Sequence, residues 1–200
     1  MRLTLFVGSE HRPSESMVQR LAEHSEQARL ARRLGFDGIT IGNHFSYSAT
    51  AWFPPFETLM RLAADAEGVS LGTCMLILPL YEPLHVAEQC VLLDAASGGH
   101  AILGVAPGWA KDEFDVMRLD HGRRTSRFEG KHFQTSRLTL ALRPTRKPRP
   151  PMWLGGSVAT AVRRVAVTRL QWVGMEHRHV MRTIELIGGK IAPLVRKAMQ

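Results

Sequence analysis

The sequence predicts an α/β fold built on a parallel sheet, and three observations carry that expectation. Strand-length apolar runs alternate with segments of helical periodicity along the first 109 residues. The runs are almost continuously apolar, as strands covered on both faces must be. Glycine or proline marks each change of element. At 200 residues, 44% hydrophobic and 22% charged, the chain suits a single domain with its own core.

"RLTLFVG" (residues 2–8) reads as the first strand. Residues 14–34 place Met17, Leu21, Ala28, Leu30, Ala31 and Leu34 at helical spacing, and Gly35 is a natural stop. "DGITIGNHF" is a second buried strand, and "FETLMRLAADA" a second helix ending at Gly68. "VSLGTCMLILPL" is the third strand. "PLHVAEQCVLLDAAS" opens on proline and closes on Gly98 and Gly99, which marks the third helix. "HAILGVA" is the fourth strand, followed by the loop "PGW".

The rhythm then breaks. Residues 110–150 form a basic, insertion-like segment with one short helix start and a hairpin-like pair around Glu129 and Gly130. "PMWLGGS" resumes as a fifth strand, "VATAVRRVAVTRL" reads as a helix and "QWVGM" as a short sixth strand. "HRHVMRTIELIGGKIAPLVRKAMQ" reads as helical on both sides of Gly188 and Gly189. No internal repeat is visible beyond the β/α alternation.

Composition narrows the function. Residues 118–150 carry ten Lys or Arg against Asp120 and Glu129, so this segment alone holds the +8 net charge of the whole chain. A basic stretch can meet nucleic acid, but the single pair Phe128 and Phe133 does not make a stacking platform; a solvated loop is the better reading. His85, His100 and His121 are too scattered for a metal cluster. No apolar run approaches the ~18 residues of a membrane span. The start "MRLTLFVGSEHRP" lacks a small-residue cleavage site, and Cys74 and Cys90 lie inside apolar segments. A cytoplasmic protein without a disulfide framework is expected.

The stretch "LGTCMLILPLYEPLHVAEQCVLLDAASGGHAILGVAPGWAKDEF", with "FEGKHF", "PRPPMWLGGS" and "HVMRTIELIGGKIAPLVR", resembles the luciferase-like flavin-dependent oxidoreductases. The resemblance implies a (β/α)8 TIM barrel with chemistry at the carboxyl ends of its strands. The chain is shorter than is usual for that family. About six strands are recognisable, and units seven and eight are largely missing between "QWVGM" and "EHRHVMRTIEL". An incomplete barrel exposes strand edges, so a homodimer is expected.

The same resemblance implies the site. His44 stands where the family's histidine faces the flavin, and an imidazole suits acid/base work near neutral pH. Asn43 precedes it where deazaflavin-dependent members often have Asp. Thr73, Cys74, Met75 and Leu76 end the third strand, where many members have a non-proline cis peptide and a bulge against the ring. Ala106, Gly108 and Trp109 follow the fourth strand. Bacterial luciferases have a reactive cysteine at the place of Ala106 and a phosphate-binding arginine at the place of Pro107. The sugar-phosphate dehydrogenase branch has glutamate at the place of Trp109. These departures argue against both activities. Gly155, Gly156, Ser157 and Thr160 enter a helix, a setting that binds anions, and the resemblance makes them the phosphate site. The expected function is a flavin-dependent oxidoreductase. Its first form is a monooxygenase using reduced FMN supplied by a flavin reductase, and its close variant is a coenzyme F420-dependent oxidoreductase. A non-catalytic flavin-binding protein of the same fold is the alternative.

Overall fold

In a computed structural model, the structure describes residues 2–119, 144–147, 150–154, 165–169 and 174–198. The elements run β1 (Arg2–Val7), β2 (Glu10–His11), α1 (Met17–Arg33), β3 (Gly38–Ile41), β4 (Ala51–Trp52), α2 (Pro55–Leu62), β5 (Ser70–Thr73), β6 (Leu76–Ile77), a 3₁₀ turn (Leu78–Leu80), α3 (Pro83–Ala96), β7 (Ala101–Ala106), α4 (Lys111–Val116), β8 (Met152–Leu154), β9 (Val165–Arg169) and α5 (His177–Leu186). A π-helical segment (Ile187–Ile191) joins α5 to α6 (Ala192–Ala198).

The main sheet is parallel, in the order β9–β1–β3–β5/β6–β7–β8. It is an open, barrel-like sheet: among the described residues β8 and β9 pair on one side only. On β1, Leu3, Leu5 and Val7 join one core with Ala28 and Leu30 of α1, Leu59 of α2, Leu93 of α3 and Ile184 of α5. The alternate positions Thr4 and Phe6 face the other way, as the two-residue period of a strand requires. The short β2 and β4 pair antiparallel as a separate flap.

β5 and β6 are two halves of one strand split by a bulge. Gly72 pairs with Ile102 and Leu76 with Val105, so three residues on one side face two on the other. The Cys74–Met75 peptide within it is cis. Thr73 repairs the broken ladder. Its hydroxyl donates to the Gly104 carbonyl (2.7 Å) and accepts from the Gly104 N–H (3.0 Å). A Cβ on Gly104 would collide with the Thr73 carbonyl oxygen and press on Met75 Sδ. Gly104→Ala is therefore expected to destabilise the protein by about 1–3 kcal/mol or more, read as a lower denaturation midpoint. An unchanged midpoint would mean that the bulge yields freely.

Three expectations need correction. Residues 165–169, read as helical, form β9, parallel to β1 from Arg2↔Val165 to Phe6↔Arg169. The β-branched Val165, Val167 and Thr168 suit a strand, and pairing to an otherwise open edge of β1 decides the matter. β9 thus lies upstream of "QWVGM", of which residues 171–173 lie outside the described residues and Gly174 makes a turn at φ +80°. The middle of α1 buries Glu23, His24, Ser25 and Gln27, while Met17 and Leu21 are only partly covered. Finally, the terminal helix does not break at Gly188 and Gly189 but continues through them in a π-helical turn. A Cβ at Gly188 would lie 2.8 Å from both the Leu34 side chain and the Phe36 ring, so glycine lets this turn pack closely on the end of α1. Val180 and Ile184 are buried there, whereas Leu186, Ile191 and Leu194 are exposed. Arg196 ties α6 to the Gly35 carbonyl (2.9 Å) and to Asp37 (3.0 Å). The Glu129–Gly130 hairpin lies outside the described residues.

Candidate active site

A cavity of about 610 Å³ opens at the carboxyl ends of β1, β3, β5 and β7, within the ~300–1,000 Å³ range of small-molecule sites. Each strand delivers its residues by ending there. β1 brings Phe6 and Ser9; β3 runs into Gly42, Asn43 and His44; the bulge brings Cys74 and Met75; β7 runs into Ala106, Pro107, Gly108 and Trp109. Gly42, Ala106 and Gly108 keep the wall flat. A Cβ at Gly42 would sit 2.8 Å from the Phe6 ring, and one at Gly108 (φ +75°) would sit 2.6 Å from Ile77 Cγ2.

His44 is held from two sides. Its Nδ1 lies 3.0 Å from Glu113 Oε1, the oxygen that also accepts the Phe45 N–H at 2.7 Å. An oxygen accepting a backbone N–H here is an acceptor for the imidazole too, so Nδ1 carries the ring proton and Nε2 is left as the base. Glu113 is fully buried, and its Oε2 has no hydrogen-bond partner among the described residues. The carboxylate reaches this depth because Phe114 anchors the short helix α4, packing with Ile77 and Leu80. On the open side Tyr47 stacks on His44 (centroids 4.7 Å), and Trp52 meets it edge-on at 4.6 Å. Trp109 lies 5.3 Å from Tyr47 and is 61% exposed, so it forms a rim. The Tyr47 carbonyl accepts from Trp52 Nε1 and Thr50 Oγ1, each at 3.1 Å, which fixes this loop.

The structure gathers seven of the thirteen expected site residues around this cavity: Asn43, His44, Cys74, Met75, Ala106, Gly108 and Trp109. Asn43 also braces the bulge, its Oδ1 accepting the Ile77 N–H at 3.0 Å. Burial pushes the Cys74 thiol up, so it lines the wall as a neutral group. Thr73 and Leu76 do not line the cavity; both are fully buried beneath it, Thr73 clamping Gly104 and Leu76 joining the core. Gly155, Gly156, Ser157 and Thr160 lie outside the described residues. Sequence reasoning missed Glu113, Tyr47 and Trp52. The one available signal for Glu113 was its place in "AKDEF", just after the loop that ends the fourth strand.

A second cavity of about 580 Å³ shares Asn43, His44 and Trp52 with the first and extends toward Glu57, Tyr81 and Glu82.

The family model described as luciferase-like monooxygenase matches residues 1–129. The oxygenase component of the flavin-dependent trigonelline monooxygenase of Acinetobacter baylyi is 27% identical over 175 residues, covering 77% of this chain and 48% of the relative. In fold, the monooxygenase RslO1 from Streptomyces bottropensis superposes with a TM-score of 0.67 at 22% identity, over 77% of this chain and 53% of that one. The oxygenating constituent of the 3,6-diketocamphane monooxygenase of Pseudomonas putida, solved with FMN, gives 0.53 at 21% identity, over 58% and 32%. The chain spans about half the length of the first curated relatives it matches.

Proposed function

Because the chain belongs to the luciferase-like monooxygenase family, we propose that its 610 Å³ cavity holds a flavin and that the protein is the oxygenase of a flavin-dependent monooxygenase. The observation that carries this reading is the His44–Glu113 pair beside a flat, largely apolar cavity at the strand ends. The residues present fit a planar ring system. Glycine and alanine leave one wall open, the Cys74–Met75 bulge forms another, and the neutral thiol adds no charge. When bound, reduced FMN supplies the electrons and activates dioxygen for transfer of one oxygen atom to an organic substrate.

The chain's own residues do the rest. His44 Nε2 takes up and returns a proton beside the ring. Glu113 holds the imidazole in that tautomer through Nδ1. Tyr47, Trp52 and Trp109 pack around the imidazole and leave 21% of its side chain exposed. Gly155, Gly156, Ser157 and Thr160 remain the proposed phosphate contacts. A separate flavin reductase fits a relative that is named as an oxygenase component, and a homodimer completes the reading. Among cofactors we favour FMN over coenzyme F420, since Asn43 stands where deazaflavin-dependent members often have Asp.

Titration with oxidised FMN, photoreduced FMN and coenzyme F420, followed by flavin fluorescence and tryptophan quenching, tests this. Saturable binding that is tightest for reduced FMN is expected. Binding of none of the three would overturn the proposal.

A further inference from the structure

The second cavity has a chemistry of its own. Among the described residues, neither Lys nor Arg lines it. Two carboxylates do. Glu82 makes no capping hydrogen bond at the start of α3 and has no ion pair among the described residues. Glu57, at the start of α2, accepts from the Gln89 amide at 3.5 Å and has no ion pair among the described residues. Phe45, Trp52, Phe56 and Tyr81 add aromatic faces, and His85 is the titratable side chain beside them other than His44 among the described residues. Trp52 and His44 form the partition shared with the first cavity, so a molecule seated here reaches the catalytic imidazole.

Uncompensated carboxylates beside aromatic faces make a site of negative potential. Ring faces attract a cation within about 6 Å, most strongly when it is desolvated. Clefts walled by one sign of charge concentrate ligands of the other. Burial, above all, pushes the Tyr81 hydroxyl up to about 12, with Asn43 opposing and the charges of Glu57 and Glu113 adding.

We propose that this chamber is the substrate site and that it selects an organic cation, such as a quaternary ammonium or an N-alkylated heterocycle, over neutral and anionic molecules of the same shape. The inference rests on reading the first cavity as the cofactor site, but binding to the chamber is measured without cofactor.

Benzyltrimethylammonium and its neutral isostere neopentylbenzene are titrated calorimetrically into the full chain. The Glu57→Gln/Glu82→Gln double variant is titrated in the same way. Both side chains lie at the edge of the fold, and circular dichroism checks that the variant is folded. The cation is expected to bind the wild type at least about tenfold more tightly than the isostere. The double variant is expected to lose most of that preference while binding the isostere as before. Cation binding by a protein that takes up no flavin supports the chamber and defeats the cofactor reading alone. Equal affinity for the two probes, or a cation preference that survives in the double variant, overturns the proposal.

Discussion

Replacing His44 by alanine is expected to lower turnover by roughly 10²–10⁴-fold, the usual contribution of a positioned acid/base group, with little change in flavin affinity. The reason is geometric. His44 is one of thirteen lining residues, and in the proposed reading the ring it flanks would rest mainly on flat walls from Gly42, Cys74, Met75, Ala106 and Gly108. Removing the imidazole deletes proton transfer and leaves those walls. Glu113→Gln separates chemistry from positioning. Glutamine can still accept the Phe45 N–H, but the charge that fixes Nδ1–H is gone. A smaller loss is expected, in kcat rather than KM. Substrate-dependent oxygen uptake and a flavin titration on both variants provide the check. Equal losses of binding and turnover in His44→Ala would make the histidine a structural residue.

Acid is expected to unfold this protein through two histidines that line neither cavity. His11 of β2 and His24 of α1 are almost fully buried, packed against each other (5.2 Å) and around Phe53 (4.8 and 5.5 Å). Burial lowers His11 from 6.5 to about 4, opposed by Glu15 and helped by Arg20. Burial, then repulsion from His11, lowers His24 to about 3, with the Gly8 backbone opposing and Arg20 and His177 adding. Both stay neutral in the folded protein while the unfolded chain takes up protons below 6.5. The unfolded state therefore binds more protons, and stability falls as pH drops from about 6.5 toward 3–4. His11 alone accounts for roughly 3 kcal/mol over that window, a large share of the 5–15 kcal/mol that holds a typical domain together. Denaturant midpoints at pH 7 and 4.5, for wild type and for His11→Phe/His24→Leu, isolate this contribution from that of the carboxylates. A pH slope unchanged in the variant would assign acid sensitivity to other groups.

That histidine pair shows where local sequence misleads. A helix face carrying Glu23, His24 and Gln27 looks solvated by periodicity alone. It is buried because the β2–β4 flap and the start of α5 fold over it, with His177 reaching Glu26 at 2.8 Å and the Gln27 amide at 3.5 Å. No local signal announces the part of this cover that comes from His177, 150 positions beyond Gln27.

The sequence by itself determined the β/α order through residue 106, because continuous apolar runs and Gly or Pro stops are local and follow from strand and helix geometry. It also determined that His44, Cys74, Met75 and Trp109 belong to one edge, since all four follow strands of one parallel sheet and so leave it at the same end. Only the tertiary structure decided that residues 165–169 are a strand, because the partner that selects extended backbone there is β1, more than 160 residues earlier. Only the tertiary structure made Glu113 the partner of His44, 69 residues away. A carboxylate's role depends on what it is buried against, and Phe114, by seating α4 in a separate apolar cluster, sets that.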